Sequence, residues 1–222
     1  KRLSVVSTGI GTDNIDIVLH ELDALFNMDL QSGMPIANPQ QLHLIRIGTC
    51  GALQAHIEPD TLVMSSFSCG FDGLIHYYQH HESPQEHAIK QQLLPILQFN
   101  QDAFYVSEGS DSLLKLFADV ATAYGNITAA GFYGPQQRPL RIPLSHPAWL
   151  NKLTQTPLDG LEIGHIDMET SGIYSLGQAF NHQCCSLAVV VDNLVTEQVT
   201  DNAAQQVQKL ITDVLGKLEH YI

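Results

Sequence analysis

The chain has 222 residues, of which 44% are hydrophobic, and its 10 basic and 23 acidic side chains give a formal net charge of −13. That length suffices for one buried core and is short for two, so we expect a single domain over residues 1–222. The negative charge argues against nucleic acid or anionic membranes as partners, and no apolar run reaches the roughly 18 residues of a membrane span.

The first half of the chain alternates strand-like and helix-like patterns. Residues 3–6 read as a short core strand ending at the turn Gly9-Ile10-Gly11, and the apolar spacing that follows predicts a helix over 14–26. Two further strands are predicted at 42–47 and 61–67. Residues 31–41 read as a loop because they contain Gly33, Pro35 and Pro39.

The pattern in the second half is weaker at first and then becomes regular. The stretch 70–100 gives no clear period, and its His-rich part, 76–87, is predicted to be an exposed loop or a frayed helix without an assigned role. A helix is expected to start near Asp111. The remaining predictions are a strand at 127–132, a long loop at 134–147, a helix at 170–180, a strand at 186–191 and a helix at 203–218.

Strands that alternate with helices predict an α/β layered fold whose sheet is covered on both faces. The chain begins with neither Met nor an apolar signal region, and it opens on a strand-like run, so we expect it to start partway into its fold. Four cysteines (Cys50, Cys69, Cys184 and Cys185) show no Cys-x-x-Cys spacing. We expect reduced, structural thiols, which suit a cytoplasmic protein.

Arg46 is the candidate site residue that stands out on physical grounds alone. The chain has only four arginines, and Arg46 lies inside the apolar run Leu44-Ile45-Arg46-Ile47 just before Gly48-Thr49. Burying a guanidinium costs several kcal/mol of folding free energy unless an anion or several hydrogen-bond acceptors pair with it. A phosphate site is the favoured interpretation, with the Thr49 hydroxyl nearby. Pairing with a structural carboxylate is the alternative.

Three other segments carry weaker signals. The turn at Gly9 and Gly11 lies between a strand and a helix and could approach an anion or a sugar, although such turns are common. Gln136 and Arg138 offer the donors and acceptor that read the imide edge of uracil, with Phe132 as an aromatic surface, or they form a solvated loop. Glu169 could accept hydrogen bonds from a ribose diol, or it could complement the N-terminus of the next helix.

Taken in order, these segments resemble those of the nucleoside phosphorylase family that includes uridine phosphorylase. The resemblance runs through nearly the whole chain, and the segment Phe132-Tyr133-x-x-Gln136-x-Arg138 is the part most similar to uridine phosphorylases. It implies a three-layer α/β/α sandwich with a mixed central sheet. The matching motifs are Ser7-Thr8-Gly9-Ile10-Gly11, Arg46-Ile47-Gly48-Thr49, Gly134-Pro135-Gln136-Gln137-Arg138 and Asp167-Met168-Glu169-Thr170.

The resemblance also implies roles for individual residues. Arg46 and Thr49, together with the Gly11 turn, would hold phosphate. Phe132, Gln136 and Arg138 would hold the base, and Met168, Glu169 and Thr49 the ribose. Arg46, Arg138 and Glu169 would be catalytic: Arg46 aims phosphate at the anomeric carbon and Arg138 stabilises charge on the leaving base. Inorganic phosphate would be a co-substrate, and we expect no cofactor or metal; the oligomer would be a homodimer or a hexamer of dimers.

Two departures from the family pattern affect what can be expected. The family's N-terminal strand and its Gly-Asp-Pro-x-Arg phosphate loop are not in this sequence. Asp192 follows an apolar strand at the point where purine phosphorylases place an aspartate and uridine phosphorylases an apolar residue, although an aspartate there could also cap a turn. A purine phosphorylase, a nucleosidase that uses water, and a silent nucleoside- or dinucleotide-binding protein therefore remain as alternatives.

Overall fold

A mixed six-stranded sheet forms the centre of the protein. The computed structural model describes residues 3–97, 103–156 and 158–221, except for the side chains of residues 154 and 220. The strands are β1 (Met28–Asp29), β2 (Met34–Pro35), β3 (His43–Ala52), β4 (Leu62–Gly70), β5 (Tyr105–Glu108), β6 (Thr122–Thr128), β7 (Ile163–Asp167) and β8 (Gln183–Asn193). The helices are α1 (Thr12–Asn27), α2 (Pro84–Leu97), α3 (Asp111–Leu116), α4 (Trp149–Gln155), α5 (Thr170–Ala179) and α6 (Ala203–Tyr221), with a 3₁₀ turn at Leu74–Tyr77.

The order of the strands in the large sheet is β5-β4-β6-β7-β3-β8. The pairs β3–β8, β4–β6 and β6–β7 are parallel, whereas β3–β7 and β4–β5 are antiparallel. Strand β8 also pairs with β4, so the sheet curls back on itself. The mixed sheet predicted from the sequence is confirmed.

Helices cover the two faces of this sheet, as predicted. On one face, α6 buries Leu210, Val214 and Leu218, four residues apart, in a cluster with Leu187 and Val189 of β8. That spacing puts the three leucine and valine side chains on one side of the helix. On the other face, α1 and α5 pack together through a second cluster, which consists of Ile15, Leu19, Ile173, Tyr174, Leu176 and Cys184. All four cysteines are free and buried, in agreement with the expectation of structural thiols.

Several boundaries differ from the prediction. Residues 3–9 form neither helix nor strand, and Val5 is 91% exposed, so the predicted core strand at 3–6 is wrong. The strand predicted at 127–132 is β6, which runs from Thr122 to Thr128, because the small residues that follow it form a turn-rich loop. In the stretch without a clear period, α2 begins at Pro84 and buries Ile89 and Leu93.

Strand β3 carries the feature that positions the site. Its parallel register with β8 pairs Arg46 with Ser186, and a β-bulge between Cys50 and Gly51 shifts that register so that Gly51 pairs with Asp192. The extra residue is Val191 of β8, which lies between the partners of Cys50 and Gly51. The shift therefore decides where Asp192 meets β3.

Candidate active site

The Arg46 side chain forms the centre of a buried ionic cluster. Its Nη2 lies 2.6 Å from Glu169 Oε2, and its Nη1 lies 3.2 Å from Asp167 Oδ2. Nη1 also donates to Ser186 Oγ at 3.3 Å on the paired strand. Burial alone lowers the pKa of Arg46, but the carboxylates of Asp167 and Glu169 outweigh it and hold that pKa above its usual value.

Strand β3 leaves room for this guanidinium because residue 48 is glycine. A Cβ at Gly48 would lie 2.6 Å from Cζ of Arg46, so any side chain there would collide with the guanidinium. The group therefore lies over Gly48, further along the strand than its own Cα. Both carboxylates are therefore partners of Arg46, and phosphate binding at Arg46 stays a prediction.

Asp167 is the last residue of β7, and both oxygens of its carboxylate accept hydrogen bonds. Its Oδ1 accepts hydrogen bonds from Thr128 Oγ1 at 3.0 Å and from the backbone N–H groups of Glu169 and Thr170 at 3.3 Å each. Its Oδ2 accepts from Thr170 Oγ1 at 2.5 Å. A carboxylate with this many donors is held in one orientation, so it presents a defined face to Arg46.

Glu169 joins the first predicted motif to the last. Its Oε1 accepts the backbone N–H of Gly11 at 2.8 Å, while Oε2 accepts from Arg46. Gly11 has φ 93° at the start of α1, a conformation that suits glycine alone among common residues. A carboxylate has about four acceptor positions, so Glu169 retains capacity for a diol. The N–H of Gly11, predicted to face phosphate, is used by Glu169.

Two further predicted residues flank this cluster. Met168 is half-buried beside Glu169, where a ribose-binding side chain is predicted. Thr49 lies three residues beyond Arg46 on β3 and is exposed. Within the described part of the chain, no hydrogen bond joins the Thr49 hydroxyl to Arg46, so its role in phosphate and ribose binding stays a prediction.

A second cluster forms around Arg138. Its Nη1 lies 2.5 Å from Asp192 Oδ2, its Nε donates to Gln136 Oε1 at 3.4 Å, and its guanidinium carbon lies 4.5 Å above the centre of the Phe132 ring. Gln136 is buried, whereas Phe132 is 48% exposed. The three residues predicted to hold the base thus lie together with Asp192, which is an ion-pair partner of Arg138 rather than a turn cap.

The two clusters reach β3 on either side of the register shift after Cys50. Nη2 of Arg138 lies 3.2 Å from where a Cβ on Gly51 would stand, and the Arg46 guanidinium lies over Gly48. Three residues of strand span roughly 10 Å. Between them lies Cys50, whose thiol has its pKa raised by burial, with Asp167, Arg46 and Asp192 all contributing to its electrostatic environment.

Residues 1–217 of the chain match the family model of the Phosphorylase superfamily. The chain belongs to the Phosphorylase superfamily. Two of the four motifs quoted from the sequence precede the helices α1 and α5, the Arg46 motif lies within β3, and the Arg138 motif lies in the loop between β6 and α4.

Curated relatives within the superfamily are purine nucleoside phosphorylases of the DeoD type. One, from Thermoanaerobacter sp. (strain X514), is 27% identical over 222 residues, covering 97% of this chain and 73% of the relative. Another, from Streptococcus suis (strain 05ZYH33), is 22% identical over 218 residues, covering 96% of this chain and 73% of its own length.

Solved structures share the fold. A nucleoside phosphorylase from Trypanosoma brucei, described as showing uridine phosphorylase activity, superposes with a TM-score of 0.85 at 24% identity, covering 96% of this chain and 79% of the other. A uridine phosphorylase from Phytophthora capsici gives a TM-score of 0.60 at 20% identity, with 90% and 68% covered. At these identities the likeness supports the nucleoside phosphorylase fold.

Sequence reasoning missed the buried polar residues behind Asp167. Thr128, Asn126 and His165 lie on β6 and β7, and each is almost fully buried. Asn126 and Thr128 alternate along β6, which puts both side chains on one face. That spacing of polar residues in an otherwise apolar strand is the signal that could have found them.

Proposed function

We propose that this protein cleaves the N-glycosidic bond of uridine, or of a closely related nucleoside, with inorganic phosphate. The products would be the free base and ribose 1-phosphate, which makes the protein a pentosyltransferase. Nucleoside phosphorylase is the name that both groups of relatives share, and the choice of uridine follows the solved structures whose names include uridine phosphorylase.

One observation carries the proposal: two guanidinium groups reach β3 at positions three residues, or roughly 10 Å, apart along the strand, and each is paired with a carboxylate. The guanidinium of Arg46 lies beside Gly48 and that of Arg138 lies beside Gly51, and the carboxylate of Glu169 contacts Arg46. An anion and a base edge bound at the two arginines would leave a sugar facing Glu169 and Met168. This spacing suits a nucleoside bound with phosphate at its ribose end.

The chemistry would be positioning and electrostatic stabilisation. Phosphate held by Arg46, with Thr49 beside it, would attack the anomeric carbon while the bond to the base breaks. The leaving base takes the bonding electrons, and Arg138 and Gln136 would stabilise the charge that develops on its imide. Phe132 would stack on the base, and Glu169 would fix the ribose hydroxyls.

Dependence on phosphate tests the reaction type. Base release from uridine, assayed in phosphate-free buffer and then with phosphate added, should rise from background to full turnover, with ribose 1-phosphate formed in equal amount. Full activity without phosphate would identify a nucleosidase and overturn the proposal. Binding of phosphate and uracil by calorimetry with no turnover at all would identify a silent nucleoside-binding protein.

The base-binding cluster tests the substrate. Replacing Arg138 by Met removes both the ion pair with Asp192 and the charge that would face the leaving base, so kcat on uridine should fall by about 10²–10³. The matched control is Arg141→Met, which changes an exposed arginine three residues along the same loop. It should leave kcat within about twofold of wild type.

Asp192 supports a second candidate, phosphorolysis of purine nucleosides. Its carboxylate faces the same space as Arg138, where an acid could protonate a leaving purine. Asp192→Asn keeps an oxygen acceptor for Arg138 and removes the proton donor. If uridine is the substrate, its turnover should fall less than about tenfold. Inosine cleavage that depends on Asp192, with uridine inert, would establish the purine reaction instead.

The proposal carries with it a cytoplasmic location, a homo-oligomeric assembly and a reaction that needs no metal or organic cofactor. In the described part of the chain, no helix is long and apolar enough to cross a membrane. Sedimentation of the purified protein, and turnover after treatment with a chelator, test the assembly and the metal independence.

A further inference from the structure

We propose that Thr128, backed by Asn126 and Ser68, is a positioning residue that sets the phosphate affinity of the site by orienting Asp167 against Arg46. The inference rests on the proposed function, because it takes Arg46 as the phosphate-facing group. None of these three side chains contacts the guanidinium directly. They would act on Arg46 only through the carboxylate of Asp167.

The contacts form a continuous path through the sheet. Thr128 Oγ1 donates to Asp167 Oδ1 at 3.0 Å, and Asp167 Oδ2 lies 3.2 Å from Arg46 Nη1. Behind Thr128, Ser68 Oγ lies 2.9 Å from Thr128 Oγ1 and donates to Asn126 Oδ1 at 2.6 Å. Asn126, Thr128 and Ser68 are fully buried, so water cannot replace a lost partner at their surface.

The hydroxyl of Thr128 has one hydrogen and three possible acceptors, which are Asn126 Oδ1, Asp167 Oδ1 and Ser68 Oγ. Asn126 Oδ1 lies 2.9 Å from Thr128 Oγ1, nearly the same distance as Asp167 Oδ1. Ser68 supplies a hydrogen to Asn126 Oδ1, and we assign the Thr128 hydrogen to Asp167 because its carboxylate is the strongest of the three acceptors. The backbone N–H of Ser171 donates to Thr128 Oγ1 at 2.9 Å and occupies one of its lone pairs.

His165 contacts the side-chain amide of Asn126. Asn126 Nδ2 lies 3.1 Å from His165 Nδ1, and His165 Nε2 lies 3.3 Å from Ser65 Oγ. In this orientation the amide nitrogen donates to Nδ1, so the neutral imidazole carries its proton on Nε2. The amide oxygen of Asn126 then points toward Ser68 and Thr128, as the preceding assignment requires.

Removal of the Thr128 hydroxyl should weaken phosphate binding selectively. Thr128→Val preserves shape but leaves Asp167 Oδ1 without its side-chain donor, so the carboxylate can rotate or draw Arg46 closer. We expect the KM for phosphate to rise about tenfold, with the KM for uridine changed less than twofold. Thr128→Ser restores the hydroxyl and should bring the phosphate KM back to within about twofold of wild type.

Ser175→Ala is the control for loss of a buried hydroxyl outside this path. Ser175 is fully buried on α5 and donates to the Gly172 carbonyl at 3.4 Å. It should lower thermal stability without changing the phosphate KM, which separates a general loss of stability from a loss of positioning.

Two results distinguish the failure of this inference from that of the proposed function. Wild-type turnover that depends on phosphate, with an unchanged phosphate KM in Thr128→Val, would overturn the inference alone. A phosphate KM that rises equally in Thr128→Val and Thr128→Ser would also overturn it, because the hydroxyl would not be the cause. Base release by the wild type without phosphate would overturn both.

Discussion

At the scale of single residues, the charge around Arg46 has a direct consequence. One guanidinium faces two carboxylates, Asp167 and Glu169, so these three side chains carry a formal charge of −1. A phosphate dianion at Arg46 would approach a group whose charge is already paired. Guanidinium has five N–H donors, and the remaining ones, rather than free charge, are what Arg46 offers an anion.

His165 is the buried residue whose protonation should affect stability. Burial lowers its pKa to about 4, against the opposing effect of Asp167, so it is neutral at pH 7. When the pH falls below about 6.5, the unfolded chain binds this proton and the folded chain does not. The contribution of His165 is therefore fully present above about pH 6.5 and is lost as the pH falls toward about 4.

Replacing His165 by Gln should flatten this part of the pH profile. Between pH 7 and pH 5, the free energy of unfolding of the wild type should fall by about 2 kcal/mol more than that of His165→Gln. Urea denaturation at the two pH values measures the difference. His43→Gln, which changes an exposed histidine, should follow the wild type, and parallel profiles for wild type and His165→Gln would contradict the assignment.

At the scale of elements, the α5–β8 connection brings the site's two halves together. Helix α5 follows Glu169, and β8 ends with Asp192 and Asn193. The helix ends at Ala179, and Asn181, two residues further on, has φ 61°. The N–H of His182 donates to the Gly177 carbonyl at 2.7 Å. This left-handed ending returns the chain directly onto the helix.

Gly177 allows β8 to start against α5. A Cβ at Gly177 would lie 2.1 Å from Cys184 Sγ, which is too close for any side chain. Gly177→Ala should therefore lower the free energy of unfolding by about 1–3 kcal/mol, even though alanine is the better helix former. In a Cys184→Ala background the same change should have a much smaller effect, which a double-mutant cycle measures by urea denaturation.

Gly216→Ala is the matched control at the element scale. It lies inside α6, and a Cβ there would have no neighbour within 4 Å. Because only helix propensity changes, it should stabilise the protein by about 0.5–1 kcal/mol. Equal effects of alanine at Gly177 and Gly216 would show that the contact with Cys184 does not limit the packing.

At the scale of the whole molecule, the net charge of −13 should affect the KM for phosphate more than the KM for the nucleoside. A negative surface lowers the local concentration of a dianion and has little effect on neutral uridine. Raising the ionic strength from about 0.01 M to 0.15 M shortens the screening length from about 30 Å to 8 Å. The KM for phosphate should therefore fall over this range, while the KM for uridine stays constant.

Steady-state kinetics at fixed pH test this salt effect. Two salts with different anions should be compared, so that competition by one anion for Arg46 is separated from screening. A phosphate KM that rises steadily in both salts would mean that direct attraction by Arg46, rather than repulsion by the whole surface, controls the encounter.

Much of the layered fold was predictable from local patterns. The helix at α6 and the strands β3, β4 and β8 were found because their apolar residues repeat with the period of one buried face. Residues 3–6 have the same local pattern and are exposed, because a strand forms only where another strand accepts its backbone hydrogen bonds. Helix α2 was missed because polar residues interrupt its apolar positions at Ile89 and Leu93.

The sequence by itself determined the family, the layered α/β fold and the identity of the unusual residues, because motif order, apolar period and a lone buried arginine are local properties. It did not reveal that Glu169 pairs with Arg46 or that Asp192 pairs with Arg138, because these partners lie 123 and 54 residues apart along the chain. The strand register and the bulge at Cys50 decided both. They bring the ends of β3, β7 and β8 together, and a charge in a buried site is governed by what folding places beside it.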